Sequence, residues 1–229
     1  MSTVSSREAA TIPTEDPTQV PVEIIKGDLS IALEESQLIG RKKEIDDIVK
    51  LLISKNSQQV EVISVWGMGG LGKTALVSSA YKSPKLSDKF EMFVFVTIMR
   101  PFHLAELLKT LVDRLDQGSS TKQQLFDNNR AGTKKSLATM SVEKLIEELK
   151  RFLNMKSCLI VLDDVSSILE WDQISPCLVS CHLKETSRII VTTRKNDIAE
   201  HCSGNHDNVY NLKVLDPDDA LHLFRKKVT

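Results

Sequence analysis

The segment Gly67-Met68-Gly69-Gly70-Leu71-Gly72-Lys73-Thr74 places glycine, four free positions and then glycine-lysine-threonine directly after the β-branched run Val60 to Val65. Such a segment works only between a strand and a helix. Without Cβ atoms, its glycines let successive backbone N–H groups turn inward as an anion nest, and the following helix N-terminus adds partial positive charge. In that setting Lys73 bridges β- and γ-phosphate oxygens and the Thr74 hydroxyl ligates Mg²⁺. Gly67 through Thr74, with Ala75 in the first helical turn, are therefore the candidate phosphate-binding residues.

The rest of the chain alternates helical and strand patterns. From Glu44, Ile45, Ile48, Val49 and Leu52 keep one helical face apolar, with Gly40-Arg41 just ahead. Phe93 to Ile98 reads as a strand, Leu104 to Leu115 as a helix, and Asp116 to Met140 as a long polar loop. Ser141 is placed to cap a helix whose buried stripe is Val142, Leu145, Ile146, Leu149 and Leu153. Cys158 to Leu162 and Arg188 to Val191 are short apolar runs that suit buried strands. Asp216-Pro217 opens a last helix with Ala220, Leu223 and Phe224 as its apolar face. This alternation predicts an α/β fold, a parallel sheet flanked by helices in three layers, with ligands at the carboxyl ends of the strands.

Two of those ends carry chemistry. Leu159-Ile160-Val161-Leu162 delivers Asp163 and Asp164, and a doubly buried strand does not end in two acids unless something cationic or polar meets them. Asp163 suits holding Mg²⁺, and Asp164 suits orienting or deprotonating an attacking water. The same pattern also fits a strand leaving into solvent with Asp164 as a cap. Ile189-Ile190-Val191 leads to Thr192, Thr193 and Arg194, whose guanidinium suits a γ-phosphate or, more plainly, a solvated loop.

Composition excludes several alternatives. Thirty basic against 31 acidic residues, net charge −1, give no overall field for a nucleic-acid backbone or an anionic membrane. The longest apolar stretch, Met92 to Met99, is far too short to span a bilayer. A start without a basic, apolar leader and four cysteines without paired spacing imply a reducing, cytoplasmic setting. Cys177, Cys181, His182, His201, Cys202 and His206 match no paired zinc pattern. Trp171 and the Phe90 to Phe95 cluster read as core. Residues 1–30, proline-bearing and acidic, read as a lead-in, and the domain as 31–229, with its core starting near Leu33.

These motifs, in this order, resemble the nucleotide-binding (NB-ARC) module of plant intracellular immune receptors with leucine-rich repeats. Gly67 to Thr74 is similar to its phosphate loop down to the wording GMGGLGKT, and Cys158 to Val165 to its acidic strand LIVLDDVW, with Ser166 in place of the tryptophan. Arg188 to Arg194 resembles its TTR element, and Phe90 to Thr97 its F-D-x-x-x-W-V-x-V segment, with Phe95 at the tryptophan position. Tyr210 to Phe224 resembles a further segment in which Leu221 replaces another tryptophan, and Leu38-Ile39-Gly40-Arg41 resembles the start of the module.

The resemblance implies a P-loop NTPase fold that switches between ADP and ATP with Mg²⁺, hydrolyses slowly, and assembles as a homo-oligomer or with other immune-receptor domains in the activated full-length state. It implies that the chain at Ile39 and Gly40 wraps the adenine with Arg41 near the nucleotide, that Thr193 and Arg194 bind nucleotide, and that Arg194 faces the γ-phosphate from a strand flanked by the acidic and phosphate-loop strands. It also places the family's G-L-P-L and M-H-D motifs, and its helical and winged-helix subdomains, after Thr229. On that reading the chain binds nucleotide more weakly than a full receptor and does not signal by itself. Two other readings stay open: a constitutive P-loop NTPase or phosphotransferase, and a nucleotide-independent module competing for receptor partners.

Overall fold

The computed structural model describes residues 38–53, 59–119, 137 and 139–228. Among them, five parallel strands form one sheet: β1 (Glu61–Trp66), β2 (Met92–Thr97), β3 (Cys158–Val165), β4 (Arg188–Thr193) and β5 (Val209–Asn211), in the order β2-β3-β4-β1-β5. The helices are α1 (Lys42–Ile53), α2 (Lys73–Tyr81), α3 (Leu104–Ser119), α4 (Val142–Leu153), α5 (Ile168–Val179), α6 (Asn196–Ser203) and α7 (Pro217–Val228).

The side-chain period of two along each strand splits the core into two apolar layers. On one face Ile63, Val65, Phe95, Val161 and Ile190 meet Ile48 and Leu52 of α1 and Leu76, Val77 and Tyr81 of α2. On the other, Val94, Val96, Ile160, Leu162 and Val191 meet Leu108, Leu111 and Leu115 of α3, Leu145 and Leu149 of α4, and Trp171, Ile174 and Ile198 of α5 and α6. Phe95 is buried edge-on against Tyr81, with ring centroids 5.7 Å apart, so the core accepts phenylalanine at that position. The four cysteines are free and buried.

Several expectations need correction. The stretch read as a polar loop from Asp116 remains helical through Ser119, because Leu111, Val112 and Leu115 anchor the last turns of α3. Leu137, inside the same stretch, is buried on the core. Ser141 sits at the amino end of α4, yet its side chain makes no cap hydrogen bond to the backbone. Asp216 does cap α7, accepting from the Asp218 N–H at 3.0 Å. Of the apolar face expected on α7, only Leu223 is half-buried, while Ala220 and Phe224 are exposed. Strand β5 and helices α5 and α6 were not foreseen. The proposed lead-in and the start of the core near Leu33 lie outside the described residues.

Candidate nucleotide site

The strands β3, β4 and β1 are neighbours, so their carboxyl ends bring Asp163, Arg194 and the glycine loop together. This is the flanking expected of the TTR strand. The loop leaves β1 at Trp66 and closes at Gly72, which caps α2. Gly67 sits in close approach to the segment after β5, since a Cβ there would lie 2.8 Å from the Leu212 carbonyl oxygen. Met68 projects into solvent at 72% exposure.

Lys73 is 8% exposed and folds back on the loop, donating from Nζ to the carbonyl oxygens of Gly67 at 2.8 Å and Met68 at 2.9 Å. Desolvation, and then the nearby Arg194 charge, push its pKa below the ordinary lysine value.

Asp163 is the hub of the polar cluster. Buried at 2% exposure, it accepts from the Thr74 hydroxyl at 3.0 Å on both carboxylate oxygens, from Thr192 at 2.6 Å and from Thr97 at 3.4 Å. Burial raises its pKa, and the hydroxyl hydrogen bonds oppose that rise. Asp164 faces the other way. A register shift between Leu162 and Val165 interrupts the β3–β4 ladder, and Asp164 sits there at φ 66, a left-handed conformation that costs a non-glycine residue about 1 kcal/mol. Its N–H donates to Thr192 Oγ1 at 2.8 Å, and its Oδ1 lies 3.4 Å from Arg194 Nε.

Thr192, rather than Thr193, reaches the cluster. Thr193 is fully buried on the opposite side of the strand, where its hydroxyl accepts from the Lys195 N–H at 3.5 Å. The missed signal was register: β3 pairs with β4 at Leu162 and Val191, so the next residues, Asp163 and Thr192, share a side.

A second group of the sequence candidates forms a pocket beside the loop. Ile39, Arg41, Gly70, Leu71, Gly72 and Ala75, with Leu38, Leu215 and Leu223, line a mostly aliphatic cavity of about 170 Å³. Gly40, at φ 74°, lets α7 pack close to this wall, because a Cβ on it would overlap the Asp219 carboxylate. The Arg41 guanidinium is already engaged: it donates to Glu44 at 2.7 Å, to the Lys213 carbonyl at 2.8 Å and to the Leu71 carbonyl at 3.3 Å. It ties α1, the loop and the approach to α7 together. A larger cavity, about 400 Å³, lies between α5 and the starts of β1 and β4 and contains none of the loop, acidic-strand or TTR residues.

Arg100 and Glu170 also belong to this end of the sheet, and neither was singled out from sequence. Arg100 donates to the Asp164 carbonyl oxygen and, at 3.0 Å, to Glu170 Oε1. Glu170 further accepts from the Ser166 N–H at 2.9 Å and the Ser166 hydroxyl at 2.7 Å. Among the described residues no cluster of three or more His, Cys, Asp or Glu is arranged to hold a metal, and no helix is long and apolar enough to cross a membrane.

Comparison with known proteins agrees with this arrangement. The NB-ARC domain profile matches residues 41–229. Disease resistance protein RPM1 of Arabidopsis thaliana is 27% identical over 198 residues, covering 86% of this chain and 20% of that protein. Putative disease resistance protein RGA1 of Solanum bulbocastanum is 28% identical over 199 residues, covering 85% and 18%. ToMV resistant protein Tm-2 netted virescent of Solanum lycopersicum is 28% identical over 203 residues, covering 87% and 21%. The chain thus spans about a fifth of these relatives. Among solved structures, the Aeropyrum pernix ORC2 protein in its ADP form superposes with a TM-score of 0.55 at 10% identity, covering 82% of this chain and 52% of that one, which is a likeness of fold. With the phosphate loop, the acidic strand and the TTR strand joined at one end of a parallel sheet, and the profile matching nearly the whole described region, this chain belongs to the NB-ARC domain family.

Proposed function

We propose that this chain is an adenine-nucleotide switch domain, binding ADP or ATP with Mg²⁺ and hydrolysing ATP weakly, and that it serves a plant disease-resistance protein in defence. The observation that carries the reading is the convergence of Lys73, Thr74, Asp163 and Arg194 from three adjacent strand ends. The ORC2 protein that shares the fold is described in an ADP form, which is consistent with an adenine nucleotide as ligand.

Each residue then has a task. The loop from Gly67 to Gly72 offers backbone N–H groups to phosphate, and Lys73 exchanges its two carbonyl acceptors for phosphate oxygens. Thr74 and Asp163 present hard oxygen donors 3.0 Å apart, a donor set that fits magnesium, whose charge would offset that of the phosphates. Arg194 reads the γ-phosphate. Asp164 takes a proton from the water whose oxygen bonds to the γ-phosphorus as the bridging bond to ADP breaks. The 170 Å³ cavity receives the adenine. Buried free thiols suit a reducing, cytoplasmic compartment.

The direct test is to purify the chain with magnesium, denature it, and identify released nucleotide by ion-exchange chromatography beside Lys73→Arg. Near-stoichiometric ADP, lost in the variant, is the expected result. A folded chain that releases none and also fails to bind added Mg-ADP or Mg-ATP in titration overturns the reading; one that releases none yet binds on titration needs further segments for retention.

The second reading, an interaction module independent of nucleotide, draws on the exposed Val214, Leu221 and Phe224 at and before α7, where other immune-receptor domains or a second copy would pack. Partner binding unchanged in Lys73→Arg would favour it.

A further inference from the structure

Asp164 holds its left-handed backbone through contacts on both sides of the residue. Its N–H is bound by Thr192 Oγ1 at 2.8 Å, and its carbonyl oxygen receives Arg100 Nη2. Arg100 reaches this carbonyl from the segment after β2, and its other terminal nitrogen is fixed by Glu170 at 3.0 Å. Glu170 is itself immobilised: its side chain is 10% exposed, both its oxygens are occupied by Ser166, and its N–H donates to the Ser167 hydroxyl that caps α5, at 3.2 Å. A planar guanidinium with two forks suits such a bridge, since one fork can be anchored while the other aims.

The bridge ends at Arg194, beside the glycine loop. With the Asp164 backbone pinned, its carboxylate stands 3.4 Å from Arg194 Nε. Arg194 is 67% exposed and has little packing of its own, and its Nη1 lies 3.9 Å from where a methyl on Gly69 would stand, directly over the loop. A long exposed side chain of this kind loses considerable rotamer entropy when fixed, so an anchor that holds it in advance strengthens its contact with ligand.

We propose that Arg100, braced by Glu170, is a positioning residue that holds Arg194 over the phosphate loop by way of Asp164, and thereby sets the preference of the site for nucleoside triphosphate over diphosphate. Arg100 touches no nucleotide in this scheme. The inference rests on the nucleotide-binding reading and on the role of Arg194 in it.

Calorimetric titration of the chain with magnesium and either ADP or the β,γ-imido analogue of ATP tests it, using Arg100→Ala, Arg194→Ala, the double variant and Glu170→Gln. Arg194→Ala is expected to weaken the analogue about tenfold while changing ADP affinity less than about threefold. Arg100→Ala should weaken the analogue at least about threefold with ADP again unmoved, Glu170→Gln should follow it in the same direction, and the double variant should match Arg194→Ala alone. Losses that add in the double variant, or an Arg100→Ala chain weakened equally for both nucleotides, overturn the inference while leaving the functional reading intact. An unaltered chain that binds neither nucleotide overturns the functional reading and the inference with it. An unaltered chain that binds both, with Arg194→Ala silent, removes the role of Arg194 and the inference together.

Discussion

Lys73 donates its ammonium protons to the Gly67 carbonyl oxygen, six residues earlier in the same loop, at 2.8 Å, and to that of Met68 at 2.9 Å. These carbonyls occupy the lysine as phosphate oxygens would, so the loop is already folded around a cation and only the acceptors need change on binding. Lys73→Arg keeps the charge but brings a planar fork too wide for that turn. We expect at least a tenfold loss of Mg-ADP affinity, read by fluorescence anisotropy of a labelled ADP.

Thr74→Ala separates magnesium binding from folding. Asp163 keeps Thr192 at 2.6 Å and Thr97 at 3.4 Å when the Thr74 hydroxyl is removed, so the loss of stability should stay near 1 kcal/mol in urea unfolding. The enhancement of ATP affinity by magnesium, measured as the ratio of dissociation constants with the cation and with chelator, should fall at least about fivefold. A ratio unchanged from the parent chain would remove Thr74 from the metal set.

Gly67→Ala tests the close approach of β1 to the segment after β5. A Cβ placed 2.8 Å from the Leu212 carbonyl oxygen forces apart two strands' exits, at about 2 kcal/mol, visible as a lower urea midpoint. The same midpoint as the parent would show that the segment carrying Leu212 yields.

Burial pushes the Cys158 and Cys202 thiols up to about 12 and that of Cys181 up to about 11, from an ordinary 9.0. The raised folded values mean that above pH 9 the unfolded chain loses protons which the folded chain keeps. Stability is therefore unaffected by these groups below that value and falls as pH rises from 9 towards 11 or 12, by roughly 1 kcal/mol per thiol at pH 10. Urea midpoints at pH 8 and pH 10 check the slope, and a disulfide reagent at pH 8 should label none of the three until the chain unfolds.

Much of this was legible in the sequence because motif and context coincide. Gly67 to Thr74 carries its own strand and helix, and Asp163 ends an apolar run, whereas the flanking of β4 by β1 and β3 was expected only through the family resemblance. What stayed hidden depends on how side chains from separate strands meet. Nothing in the wording TTR says that Thr192 rather than Thr193 turns toward Asp163; the register with β3 decides it. Arg100 was not singled out because its partners, Glu170 and the Asp164 carbonyl, lie 70 and 64 residues away. Arg41 has a similar lesson, since its guanidinium is met by carbonyls that no local pattern predicts. Phe224 fits a helical apolar stripe, yet periodicity does not reveal whether a partner surface is present.

The cavity beside the loop is walled on one side by Ile39 and Arg41 and on the other by Leu215 and Leu223, with Arg41 donating to the Lys213 carbonyl across 172 residues of chain. A chain emerging from the ribosome presents its glycine loop early, but the opposite wall of the pocket only after Leu223 has been made and α7 has packed with Asp219 against Gly40. On the proposed reading, nucleotide meets a complete pocket only once α7 has docked, and by mass action it would stabilise a fold in which segments 172 residues apart already touch.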